Sequence, residues 1–188
     1  YYSLALIRQF ERLGVFVLNS SHSMEISKDK LSTLQLLSAN NIPVPKTILA
    51  RFPFNITLVE KELSYPIIVK TVMGSSGRGV FLVENRNKLN DILNLIEISK
   101  DPKTNLILQE FIGTSNGKDI RVVVIGGKAA GAMLRKSVNG SFKANYTAGG
   151  RVGPYTINST IEYLAVKSAE VIGLDIAGVD ILFDRDNY

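Results

Sequence analysis

Apolar residues fall at helical spacing at the start of the chain, at Leu4, Ile7 and Phe10 with Leu13 behind them, and Gly14 supplies a C-cap. The apolar run Val15-Phe16-Val17-Leu18-Asn19 predicts a short strand. Helical spacing then returns over 27–41, with Ser27 or Asp29 as N-cap and Leu31, Leu34 and Leu37 on the buried stripe. Pro43 and Pro45 stop that helix and begin an extended segment through Leu49. Strands are predicted over 66–71, 79–83 and 105–111, and a helix over 87–98. From Ile112 the pattern changes: two strand-like runs surround Gly126-Gly127, a type I′ hairpin signal. A polar loop over 136–157 leads to a helix over 160–172, stopped by Gly173. The last residues, from Ile176, read as a strand and the turn of a hairpin whose second strand does not follow.

Composition narrows the setting. At 188 residues and 45% hydrophobic, the chain can bury a core for one domain or two small lobes. No apolar run approaches the ~18–20 residues that span a bilayer, and no basic-then-apolar leader is present. Cysteine is absent, which excludes disulfides and thiolate metal sites. A single histidine, His22, read as solvent-facing, leaves little for a zinc site or a Ser-His-Asp triad. The expectation is a soluble cytoplasmic protein without membrane association. The net charge of +5 fits either a nucleic-acid surface or a basic cleft for an anionic ligand; the scattered Lys and Arg form no dense run. Triplets such as Asn55-Ile56-Thr57 are taken as chance, not as glycosylation signals.

The candidate chemistry centres on the stretch from Ile67 to Val83. Its middle, Gly74-Ser75-Ser76-Gly77-Arg78-Gly79, is a glycine loop between two apolar strands, with Lys70 four residues ahead. The spacing is neither the P-loop nor the dinucleotide fingerprint. Glycines free backbone N–H groups for oxyanions, and a nearby ammonium adds a point charge for phosphate. Asp180 sits among apolar neighbours in Ile176–Phe183, where an unpaired carboxylate is expensive. It is either a strand-edge or cation-paired carboxylate or, the favoured reading, a ligand for a hard metal such as Mg²⁺. Asp119 and Arg121, two apart on a strand, share a face. Lys143 and Asn145 lie in the polar loop, where an ordinary surface position is the default.

The order of these features resembles the ATP-grasp superfamily, and within it the RimK-like carboxylate–amine ligases. The resemblance rests on LIRQFERLGVFVLN, DKLSTLQLLSANNIPVP, SSGRGVFLV, LQEFI, KDIRVVVIGGKAAGAMLR and IAGVDIL, and runs over essentially the whole chain. It implies an α+β ATP-grasp fold, two α+β lobes gripping ATP between antiparallel sheets, with the glycine loop as a flap. Residues 1–20 would end a preceding αβ domain, 21–111 form the first lobe, and 112–188 form a second lobe truncated before its last metal-binding strand. By position, Lys30 and Lys70 would contact phosphates under the flap residues Gly74, Ser75, Ser76 and Gly77. Gln109, Glu110, Phe111 and Ile112 would line the adenine pocket, with Asp119 near the ribose. Arg121 and Arg135 would face the acyl substrate or the transferred phosphoryl group, Lys143 and Asn145 the γ-phosphate, and Asp180 would bind Mg²⁺ or Mn²⁺.

The implied activity is amide formation through an acyl phosphate, adding glutamate or a similar amino acid to an amine on a protein tail, a peptide or a small molecule. Nucleic acid is not an expected partner, and self-association is left open. The family's Glu-x-Asn metal motif would follow Tyr188, so the chain is expected to be a central fragment and a poor catalyst alone. Two alternatives stay open: another ATP-grasp branch of peptide-like ligases, and a non-catalytic nucleotide- or nucleic-acid-binding module.

Overall fold

The computed structural model describes residues 2–72, 79–98, 105–138, 140–142 and 150–184. The chain divides into two units, one from Pro45 to Gly113 and one made of the residues up to Val44 and from Thr114 onward.

In the unit from Pro45, four antiparallel strands lie in the order β1 (Thr47–Arg51), β4 (Asn105–Glu110), β2 (Ile67–Thr71), β3 (Val80–Val83). Period-two alternation sends Ala50, Ile67, Val69, Val83, Leu106 and Leu108 to one face. There α4 (Ile56–Glu62) and α5 (Arg86–Ile98) cover them with Val59, Leu89 and Leu93. Each fully buried Leu, Ile or Val contributes about 1.5–3 kcal/mol, so this face fixes the register and leaves the other face for polar groups. Helix α4 was not anticipated. The Asn55-Ile56-Thr57 triplet is its start: the Asn55 Oδ1 accepts the Thr57 N–H at 2.9 Å as an N-cap. Arg86 and Glu60 join α5 to α4 through two hydrogen bonds of 2.6 and 3.0 Å. The Tyr65 hydroxyl donates to the same carboxylate at 3.0 Å. Burial first, and the Glu60 hydrogen bond second, push the Tyr65 pKa up to about 12.

The other unit carries α1 (Tyr2–Arg12), α2 (Ser21–Lys28) and α3 (Lys30–Ala39). Its antiparallel sheet has the order β7 (Arg151–Pro154), β6 (Lys128–Lys136), β5 (Lys118–Ile125), β8 (Ile176–Ile181). Helix α6 (Ser159–Ile172) packs Ile161, Ala165 and Ala169 on Ile120, Val122, Val124, Ala177 and Ile181. Gly126 and Gly127, at φ +54° and +74°, make the expected primed turn between β5 and β6. A bulge at Val123/Val124 adds one residue on β6, so Val123 opposes Gly131 while Val124 opposes Ala129.

Four expectations are corrected. Residues 15–19 form no strand: the Val15 N–H turns back to the Phe10 carbonyl at 3.0 Å, and the segment joins no ladder among the described residues. Instead the Asn19 side-chain amide copies a peptide group. It donates to the Ile176 carbonyl at 2.8 Å and accepts the Ile176 N–H at 2.9 Å, on the edge of β8. The helix expected over 27–41 is α3, with Asp29 as the N-cap as expected, but a separate helix, α2, ends just before it. Asp29 closes α2 through its backbone N–H and opens α3 by accepting from Leu31 N and Ser32 N at 2.9 and 3.1 Å. Leu31, Leu34 and Leu37 are half-buried, not core. The polar loop over 136–157 contains β7, whose Gly-Pro ending hid its strand character. Residues 21–44 group with the second sheet, not with the first lobe. The physical reason is packing of α2 and α3 on α6, where the Ser23 hydroxyl donates to the Gly173 carbonyl at 2.7 Å.

The hydrogen bonds from Ser32 lead in holding the Asp29 carboxyl below the usual carboxylate range. Asp29→Ala should therefore cost about 1 kcal/mol, read as a lower urea midpoint at neutral pH. Because the folded pKa is depressed, this contribution is present above the unfolded value and fades as pH falls through the folded one. No helix among the described residues is long and apolar enough to cross a membrane.

Candidate functional site

In the unit from Pro45, the face of the sheet away from its helices carries Thr47, Ile68, Lys70, Ile107 and Gln109, set there by strand alternation. The Lys70 ammonium donates to Gln109 Oε1 at 2.8 Å, and Gln109 Nε2 donates to Thr47 Oγ1 at 2.6 Å. The Thr47 hydroxyl in turn donates to the Pro45 carbonyl at 2.7 Å. Since an ammonium can only donate, the amide of buried Gln109 has one consistent orientation, and the relay fixes the lysine head against the sheet. Beside it, Glu110 accepts the Lys46 N–H through Oε1 at 2.6 Å, and its own N–H donates to the Lys46 carbonyl at 2.9 Å. Phe111 and Ile112 follow, half-buried, at the end of β4.

The second unit gathers four charges on the face of its sheet opposite α6. Register places Asp119 across from Arg135 and Arg121 across from Asp180. Arg135 Nε and Nη2 donate to the two Asp119 oxygens at 2.6 and 2.7 Å, and both residues are buried. Arg121 Nε and Nη2 donate to the Asp180 oxygens at 2.7 and 2.8 Å. Arg135 Nη2 lies 2.9 Å from Asp180 Oδ2 and joins the two pairs. Burial works against the Arg135 charge, but the Asp119 hydrogen bond and the Asp180 charge outweigh it and raise its pKa above the ordinary value. The inner pair is fixed; the Arg121–Asp180 pair is about 40% exposed and open to anions and cations from outside. The Arg121 side chain lies over Gly178, 3.6 Å from where a Cβ would stand, which is ordinary van der Waals contact.

Of the residues singled out from sequence, Lys70 and Gln109 meet in one unit; Arg121, Arg135, Asp119 and Asp180 meet in the other. Lys30 opens α3, half-buried, where burial lowers its pKa and Asp29 opposes the shift. His22 is exposed on α2. Gly74, Ser75, Ser76, Gly77, Lys143 and Asn145 lie outside the described residues. Asp119 spends both oxygens on Arg135. The Thr47 and Gln109 side chains were missed as the support of Lys70; the signal was Gln109, an amide in the otherwise apolar run of β4. As placed, the described residues do not fit a bare metal ion. Both Asp180 oxygens accept from guanidinium, and no group of three His, Cys, Asp or Glu exists among the described residues.

Residues 27–188 match the model of the RimK-like ATP-grasp domain. The chain belongs to the RimK-like ATP-grasp family. A probable alpha-L-glutamate ligase of Rhodopirellula baltica is 39% identical over 183 residues, which are 97% of this chain and 44% of that relative. The chain spans 61% of the length of another such relative, from Maridesulfovibrio salexigens, at 38% identity. Among solved structures, a RimK domain ATP-grasp protein from Sphaerobacter thermophilus superposes with a TM-score of 0.79 at 22% identity, covering all of this chain and 66% of that one. The ATP-grasp ligase PsnB, solved with a phosphomimetic variant of its minimal precursor, Mg and ADP, gives 0.74 at 22% identity, covering all of this chain and 55% of PsnB. Two helix-backed antiparallel four-stranded sheets are thus the ATP-grasp fold, and the α+β expectation holds.

Proposed function

We propose that this chain is the nucleotide-binding and catalytic part of an ATP-dependent carboxylate–amine ligase of the alpha-L-glutamate type. The observation that carries the proposal is the family match over residues 27–188. In this reading a substrate carboxylate oxygen attacks the γ-phosphorus of ATP, ADP leaves, and an acyl phosphate forms. An amine then attacks the acyl carbon, phosphate leaves with the bonding pair, and the amine gives up a proton as the amide forms. Lys70 and Lys30 hold phosphate oxygens, and Gln109 to Ile112 border the adenine. Arg121 turns its guanidinium to charge developing on the transferring group, where phosphoryl-transfer catalysis mostly resides. Arg135 is the fixed member, too firmly held by Asp119 to follow the substrate.

Glutamate as the added amino acid rests on the names of the relatives. A protein tail or peptide acceptor is supported by the precursor bound to PsnB. A cytoplasmic setting agrees with the lack of cysteine. Mg²⁺ or Mn²⁺ would accompany ATP, and Asp180 is our candidate carboxylate, on condition that Arg121 releases it; Oδ2 then still faces Arg135 Nη2 at 2.9 Å, so Oδ1 is the oxygen set free.

Calorimetric titration with ATP, with and without Mg²⁺, tests the reading. Lys70→Ala removes a charged hydrogen-bond donor, an effect of about 1.5–3 kcal/mol, so the ATP affinity should fall roughly 10- to 150-fold. Asp180→Ala should remove only the Mg²⁺-dependent part. ATP binding equal in wild type and Lys70→Ala would sink the proposed site.

A further inference from the structure

At one end of the β5–β6–β7 sheet three cations stand in register: Lys118 opposite Lys136, and Lys136 opposite Arg151. Directly paired residues share a face, so all three project on the side that carries α6, opposite to the Asp119–Arg135 side. None of them makes an ion pair among the described residues. Like charges set directly across from each other destabilise a sheet. Here the arrangement recurs across two successive strand pairs, and among the described residues no carboxylate pairs with it. Lys118 is steadied in place, its ammonium 4.8 Å from the centroid of the Phe183 ring, which packs edge-on to Tyr155. Lys136 and Arg151 are exposed.

We infer that this row is a docking surface for an acidic peptide, the carboxylate-rich tail that the ligase extends or has just extended. The inference rests on the glutamate-ligase reading for the identity of the tail and on the register for the surface. Strands ~4.8 Å apart spread the three cations over roughly 10 Å, while same-side carboxylates of an extended peptide recur every ~6.7 Å. The long Lys and Arg stems absorb the difference. Each glutamate added brings one more carboxylate, so a tail held here is retained more firmly as it grows. The row faces away from the Arg121–Asp180 pair, so tail and nucleotide do not compete for it. A single-stranded nucleic acid would want exposed aromatic rings for its bases. The ring in this row, Phe183, is partly buried against the core and covered by the Lys118 ammonium.

The test is fluorescence anisotropy of a labelled octaglutamate peptide, with octaglutamine and a short RNA as controls. Wild-type chain is compared with Lys136→Gln/Arg151→Gln, and each protein's thermal melt and ATP affinity are recorded alongside. Octaglutamate should bind in a salt-dependent way and octaglutamine should not. Removing the two cations should weaken octaglutamate roughly 25-fold, about fivefold per charge as for a solvated contact between unit charges, with ATP affinity unchanged and the melt no lower, since like-charge repulsion is relieved. Equal octaglutamate affinity in both proteins overturns the inference, as does RNA binding more tightly than octaglutamate and being lost in the same variant. If neither protein binds ATP yet octaglutamate binding depends on the two cations, the surface stands and the ligase reading fails. If ATP binds normally and octaglutamate binding ignores the two cations, the docking surface fails and the ligase reading stands.

Discussion

Asp119→Leu is expected to lower the stability of this chain by about 3–5 kcal/mol, because it leaves the Arg135 charge buried without its bidentate partner. The two side chains are 11% and 6% exposed, so water cannot replace the lost oxygens. Asp180 keeps one contact to Arg135 at 2.9 Å, which places the loss toward the lower end of that range. For a chain of this size the melting temperature should drop by roughly 2–4 °C per kcal/mol. The double variant Asp119→Leu/Arg135→Met removes both charges and keeps the volume, and should recover most of the loss. A double variant no more stable than the single one would show that the pair is not energetically coupled.

The second large effect is at Gly117. Its φ of +67° is left-handed, and an added Cβ would sit 2.6 Å from the Ser141 carbonyl oxygen and 3.2 Å from the Ser137 Cβ. Its carbonyl accepts the Ser137 N–H at 2.7 Å, and its N–H donates to the Phe142 carbonyl at 3.3 Å. Gly117→Ala should therefore cost about 1–2 kcal/mol for the backbone and a further 1–3 kcal/mol or so for overpacking. Gly126→Ala is the control: φ is also positive at +54°, but nothing lies within 4 Å of its Cβ, so only the backbone part applies. On the proposed reading of Lys143 and Asn145 as γ-phosphate contacts, Gly117→Ala, which disturbs residues 141–142 just before them in the chain, should also weaken ATP binding, whereas Gly126→Ala should not. Thermal melts and the ATP titration read both parts.

Strands with a strong apolar period were legible in the sequence, and so were Gly173 as a helix stop and Gly126-Gly127 as a primed turn. These signals are local: they need only the residues themselves. The misplaced elements depend on distant partners. Val15 to Asn19 has the composition of a strand, but a strand exists only where another backbone meets it, and there Asn19 supplies an amide instead. Strand β7 ends in Gly153-Pro154, and only its ladder with β6 makes it a strand. At the site the residue types were readable, while their pairing was not. Asp119 and Arg121 look like partners in the sequence, yet register gives each its own opposite number, Arg135 and Asp180.

That register turns on the bulge in β6. From a two-residue turn, Ile125 pairs with Lys128 and Val124 with Ala129; continued without interruption, the same count would bring Asp119 opposite Leu134. Parity would then be broken along the rest of the hairpin: a residue bound for the helix side would share a side with one bound for the charged side. The one supernumerary residue, Ala130, restores parity, so that acid meets base on one surface and Ile120 meets Leu134 on the other. Small and exposed though it is, Ala130 acts as a spacer that lets one hairpin serve an apolar face and a charged face at once.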